Sequence, residues 1–177
     1  MVNGEAAQDT ARFDSLLAAG SMRATQNARH STLQHKPMAI WKQAASVEIL
    51  TALHVGTTVA HLGIEFLEVG DDFICARAPV DERTRQPMGL LHGGVSVLLA
   101  ETLGSCGAAL SIPQGQRAVG LDINANHLRG VTSGWVTGTA KPVHIGRSTQ
   151  VWQIDLVNQA GEPTCVSRIT MAILTPK

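Results

Sequence analysis

Tyrosine is absent from this chain of 177 residues, and three tryptophans and three phenylalanines make up its whole aromatic complement. Neither sign of charge dominates, with 14 lysines and arginines against 14 aspartates and glutamates. With no basic stripe and no platform for stacking bases, nucleic acid is excluded as the main partner. Cysteine is scarce. Cys75, Cys106 and Cys165 are odd in number, widely spaced and set in apolar sequence. They read as reduced thiols of a cytoplasmic protein rather than as a disulfide framework. No uninterrupted apolar run approaches the roughly 18 residues of a membrane span, because His92-Gly93-Gly94 and Glu101 break up the longest apolar stretch. The N-terminus lacks the basic-then-apolar order of a secretion signal, its longest apolar piece being Leu16-Leu17-Ala18-Ala19. Membrane and export are therefore not expected. Several catalytic signatures are missing too. Gly94-Val95-Ser96-Val97-Leu98 is not a Gly-x-Ser-x-Gly elbow, and there is neither a phosphate loop with lysine nor a metal-ligand pair at helical spacing.

What is present suits one globular domain: 44% of the residues are hydrophobic, enough for a real core. Residues 1–37 stand apart, rich in Ala, Gln, Thr, Ser and His with little apolar periodicity beyond Phe13, Leu16 and Leu17. They read as a disordered or weakly ordered extension, the alternative being a short amphipathic helix over Thr10 to Ala19. Met38-Ala39-Ile40-Trp41 looks like a second beginning, so the folded domain is placed at 38–177.

Within that domain Ser46 caps a short helix, Val47 to Leu53. Strand-like runs cover Gly63 to Val69 and Phe73 to Val80, joined by the turn composition Gly70-Asp71-Asp72. A polar loop, Asp81 to Pro87, leads into an apolar helix that ends before Pro113-Gln114-Gly115. Four more strand-like runs follow near 117–128, 134–144, 148–158 and 164–174. The fold class is α+β: two strands, one long helix, then four strands.

From Met88 to Ile112 the only formally charged side chain is Glu101. The positions that would neutralise it on a helix hold Val97, Leu98, Gly104 and Ser105. Burying an unpaired carboxylate costs several kcal/mol or shifts its pKa, so a chain that keeps one there uses it, unless it reaches solvent at the helix edge. Gly93-Gly94 at the helix start present free N–H groups and a positive dipole end, suited to a developing oxyanion, although a tight loop-to-helix turn uses such glycines equally. Ser105 lies at i+4 from Glu101, hence on the same face. The small residues Gly104, Gly107, Ala108 and Ala109 let a sheet wrap closely around the helix. Further on, Val119, Leu121, Ile123 and Ala125 alternate with Asp122, Asn124 and Asn126. His127 shares the apolar parity and should point at the helix carrying Glu101, as a functional group or as a satisfied core histidine.

These segments resemble the hotdog-fold acyl-CoA thioesterases whose catalytic carboxylate lies on the central helix. The resemblance rests on Gln86-Pro87-Met88-Gly89-Leu90-Leu91-His92-Gly93-Gly94, Ala100-Glu101-Thr102-Leu103-Gly104-Ser105, Asn124-Ala125-Asn126-His127 and Val151-Trp152-Gln153-Ile154, and it covers residues 38 to about 174. Within the family the segments look like the branch that hydrolyses aryl-CoA thioesters in menaquinone biosynthesis and the branch that clears misacylated carrier protein. Met88 departs from the aromatic residue expected after Gln-Pro.

The resemblance implies an antiparallel sheet of about six strands wrapped around the helix. It also implies acyl-CoA hydrolysis without metal or other cofactor. By position, Glu101 matches the catalytic carboxylate, either nucleophile or general base on water. Gly93 matches the N–H that polarises the thioester carbonyl. His92 and Gln86 shape that loop, and Ser105 holds water or the carboxylate. The resemblance further implies a site shared between subunits, Gln86 and Gly93 from one chain and Glu101 and Ser105 from its partner, in a homotetramer built from two dimers. CoA phosphates call for cations and donors at strand ends, for which Arg129, Arg147, Ser148 and His144, with Arg168, are candidates beside His127. Two rivals remain: a hotdog dehydratase using His127, and a CoA-binding module without chemistry.

Overall fold

The computed structural model describes residues 39–176. Residues 1–37, with the expected domain start at Met38, lie outside the described residues. The chain opens with helix α1 (Val47–Leu53), where the Ser46 side chain accepts from the Ile49 N–H and Glu48 sits in the first turn, complementing the dipole. A four-residue helix α2 (Thr58–His61), too short to leave a periodic signal, precedes the hairpin β1 (Glu65–Val69) and β2 (Ile74–Pro79). The long helix α3 (Gly93–Leu110) follows, then β3 (Arg117–His127), β4 (Trp135–Ile145), β5 (Thr149–Asn158) and β6 (Pro163–Leu174). The expected elements therefore stand, with α2 added.

The six strands form one sheet in the order β1-β2-β4-β5-β6-β3, antiparallel throughout. By length and hydropathy alone α3 could cross a membrane, but half of it is buried inside the molecule, against β2 through β6. Wrapping a sheet this closely needs missing side chains. A Cβ on Gly104 would strike Ile169, and one on Gly107 would stand 2.6 Å from the Trp152 ring. Trp152 itself is fully buried, donates its Nε1–H to Gln150 Oε1 at 2.9 Å and stacks on Trp41, which in turn donates to the Gly70 carbonyl at 2.7 Å. One tryptophan pair thus ties the first described residues to the hairpin turn and to the core.

The alternation expected in β3 holds only in its second half. Ile123 and Ala125, half-buried, pair with Ile169 and Ser167 on the covered face, and His127, of the same parity but exposed, pairs with Cys165. A bulge between Gly120 and Asp122 inserts one residue and reverses the parity before it. Ala118 and Gly120 consequently face the helix, opposite Ile173 and Met171, whereas Val119 and Leu121 are exposed, at 42% and 61%. β3 is also a sheet edge, so one long, partly apolar strand margin is left unpaired among the described residues.

Candidate active site

The loop before α3 is held at both ends. Leu91 N–H donates to the Val131 carbonyl at 2.7 Å and His92 N–H to the Thr84 carbonyl at 2.8 Å. Between them Gln86 N–H meets the Leu90 carbonyl, closing a turn in which Gly89 has φ +79°, a conformation that suits glycine. The Gln86 side chain also accepts from the Met88 N–H, which fixes it in this turn.

His92 is the N-cap of α3, an unusual residue there, and its Nδ1 accepts from the Gly94 N–H at 2.9 Å. That bond defines the neutral tautomer with hydrogen on Nε2. It also leaves Gly93, the first residue of the helix, with an N–H that donates to no partner among the described residues. A Cβ on Gly93 would come within 2.9 Å of His127 Nε2, so the imidazole lies directly over this glycine. The two sequence candidates, a helix-start donor and a strand-end histidine, meet here. With Gln86, Leu90, Ser96 and Arg129 they line a pocket of about 330 Å³. Arg129 reaches Glu162 at 3.5 Å, with both side chains about half exposed.

Glu101 and Ser105 belong to a different cavity, a cleft of about 790 Å³ that shares no lining residue with the first. Its walls include Val97 and Leu98 of the same helix face, and Ala118 and Val119 of β3. Here the structure corrects one expectation: Glu101 is exposed on this chain, not buried. Gly120 explains the access, since even an added Cβ there would lie 3.6 Å from Glu101 Oε1. Glu101 stands eight residues beyond Gly93, about 12 Å along the helix axis. One thioester carbonyl must lie within roughly 3 Å of both its oxyanion donor and its attacking group. A single chain presents the two in separate cavities.

Sequence reasoning missed two further members of the large cleft. Arg117 brings a cation to its β3 wall, and His54 reaches it from the end of α1. His54 Nδ1 lies 2.8 Å from the Leu50 carbonyl and Nε2 lies 3.9 Å from Cys106 Sγ. Burial holds its pKa below the usual histidine value, partly offset by the Leu50 hydrogen bond. The contact with Cys106 spans 52 residues of sequence, and no local pattern announces it. Burial drives the Cys106 thiol up to about 12, so it stays protonated at neutral pH. All three cysteines are free.

The remaining CoA candidates do not join either cavity. His144, Arg147 and Ser148 gather at the β4–β5 turn, where the His144 ring folds over Gly146. Arg168 donates to Gln153 Oε1 at 3.2 Å, at an exposed position.

Comparison with known proteins agrees with this fold. The thioesterase superfamily pattern matches residues 88–165, the span from the loop before α3 to the start of β6. The 1,4-dihydroxy-2-naphthoyl-CoA hydrolase of Escherichia coli is 49% identical over 135 residues, 76% of this chain and 99% of that protein. A proofreading thioesterase, EntH, of Cronobacter sakazakii is equally similar, 49% identical over 76% of this chain and 98% of its own length. The crystal structure of a thioesterase from Haemophilus influenzae superposes with a TM-score of 0.75 at 51% identity, covering 77% of this chain and 95% of that one. With its helix wrapped by six antiparallel strands and about half of the aligned residues identical in such relatives, this chain belongs to the thioesterase superfamily and is a hotdog-fold thioester hydrolase.

Proposed function

We propose that the protein hydrolyses aryl-CoA thioesters, with 1,4-dihydroxy-2-naphthoyl-CoA as the best-supported example, at sites completed by two copies of the chain. The observation that carries the shared site is the separation of Glu101 from Gly93 into two cavities of one chain. The exposed β3 edge, with Val119 and Leu121, borders the Glu101 cleft and offers the surface along which a second copy closes it. Two such dimers make the homotetramer.

In that arrangement the thioester carbonyl accepts from the free Gly93 N–H of one copy, strengthened by the positive end of α3. His92 keeps the donor single by occupying the Gly94 N–H. Gln86 positions the carbonyl or the water, and His127 walls the donor. Glu101 of the other copy attacks the carbonyl carbon directly, or removes a proton from water that attacks it, with Ser105 holding that water or the carboxylate. The C–S bond breaks and the CoA sulfur leaves as thiolate and takes up a proton; on the direct route water then hydrolyses the Glu101 anhydride, which restores the carboxylate, and on either route the acid is released. Arg129, beside the Gly93 pocket, receives the CoA phosphates, and His144, Arg147 and Ser148, at the opposite end of β6, reach them only from another copy. The three free thiols suit a reducing cytoplasm.

Equal similarity to a proofreading thioesterase favours a second reading, removal of wrong acyl groups from a carrier protein. A panel of kcat/KM values with free-thiol detection separates the two. Aryl-CoA substrates should exceed hexanoyl- or decanoyl-CoA by about tenfold or more, the scale of 1.4 kcal/mol in transition-state binding. Equal values for aliphatic chains reject the aryl assignment, and faster turnover of acylated carrier protein supports the second reading.

A further inference from the structure

We infer that His54 is a specificity-determining residue that accepts a hydrogen bond from a hydroxyl on the acyl group, so that hydroxylated aryl thioesters are preferred over unsubstituted ones. The inference deepens the aryl-CoA reading and rests on it. Its geometry starts with the tautomer. The Leu50 carbonyl can only accept, so the 2.8 Å contact makes His54 Nδ1 the donor and leaves a lone pair on Nε2. That atom has no oxygen or nitrogen partner among the described residues; its only polar neighbour is the Cys106 sulfur at 3.9 Å, a weak S–H donor.

The ring is half-buried and lines the Glu101 cleft. Its orientation is fixed by the Leu50 bond and by Phe66, whose ring centroid lies 5.0 Å away. An acceptor in a mostly apolar wall, already oriented and without a strong donor, rewards a ligand that supplies one. Its position sets what that ligand is. Cys106, against which Nε2 rests, lies five residues beyond Glu101, about 7.5 Å along α3. An acyl group whose carbonyl carbon is held at Glu101 therefore reaches His54 across one aromatic ring, with the hydroxyl on the far side.

The test uses the full chain with benzoyl-CoA and 4-hydroxybenzoyl-CoA as probes. In the wild type the ratio of kcat/KM, hydroxylated over unsubstituted, should exceed about ten, the scale of one hydrogen bond to an otherwise unpaired acceptor. His54→Phe, which keeps an aromatic ring against Phe66, should bring that ratio close to one. His54→Gln, whose amide oxygen can accept, should restore most of it. A ratio near one in the wild type, or a ratio unchanged in His54→Phe, overturns the inference. Because the wild-type comparison needs no substitution, misfolding of a variant cannot rescue the idea. Wild-type preference for decanoyl-CoA over both probes would instead strike the aryl-CoA reading itself, and the role of His54 with it.

Discussion

The two faces of α3 obey opposite rules. The face turned to the sheet is closed: Leu99, Leu103, Ala108 and Leu110 are buried to within about 1% exposure, and Gly104 and Gly107 are glycine because Ile169 and Trp152 occupy the space a side chain would need. The other face, Gly94, Val97, Leu98, Glu101 and Ser105, opens into a cleft of about 790 Å³ and carries the helix's single charge. Packing uses up one face completely, and Glu101 stands on the face that packing leaves free. The same difference underlies the proposal that two copies complete one site. The free N–H of Gly93 emerges at the helix start beside His127, off the open cleft, so the closed and open faces direct donor and carboxylate to different cavities.

Breaking the open face should cost activity and spare stability. Glu101→Gln is expected to lower kcat by about a thousandfold or more, since it removes both the nucleophile and the base while keeping the side-chain shape. Circular dichroism and melting temperature should stay close to wild type, because Glu101 makes no hydrogen bond or ion pair among the described residues. Retention of more than a tenth of turnover would contradict the assignment.

Gly93→Pro is the sharper probe of the donor. Proline is tolerated at the first helical position, and His92 already has φ −65° and ψ 131°, the extended geometry that precedes proline. The variant therefore deletes one N–H without breaking α3. The expected loss is about a hundredfold in kcat, the usual scale for one oxyanion donor. Only the far end of the exposed His127 side chain has to give way.

The closed face should answer in the other currency. Gly104→Ala places a methyl group against Ile169, and overpacking of this kind costs about 1–3 kcal/mol, less roughly 1 kcal/mol regained in helix propensity. The melting temperature should fall by several degrees, whereas Ser105→Ala one residue further, on the open face, should leave it within about a degree. Calorimetry on the pair checks the contrast, and equal shifts would mean that the two faces are not packed differently.

Much of this was readable from local pattern. Alternation and turn composition placed the strands, Ser46 marked the cap of α1, and the isolated charge at Glu101 and the glycine pair at the start of α3 pointed to the two chemical groups. What escaped depends on distance or on one extra residue. The bulge at Gly120–Asp122 turns Val119 and Leu121 outward, and nothing in an alternating run signals where an insertion falls. The exposure of Glu101 escaped because burial was inferred from an apolar helix, whereas one face of that helix lines an open cleft. His54 reaches the cleft through a contact between α1 and α3 that no periodicity encodes.

The central claim, one site from two copies, is tested most directly by mixing two inactive variants. Glu101→Gln and Gly93→Pro are expressed together with different tags, and the mixed dimers are isolated and assayed for thioester hydrolysis. In a twofold dimer one of the two sites then draws Gly93 from the first variant and Glu101 from the second, and is wild type, so turnover should recover to about half the wild-type value per dimer. If each chain builds its own site, both sites of every mixed dimer stay defective, and activity no higher than that of the separate variants would contradict the account.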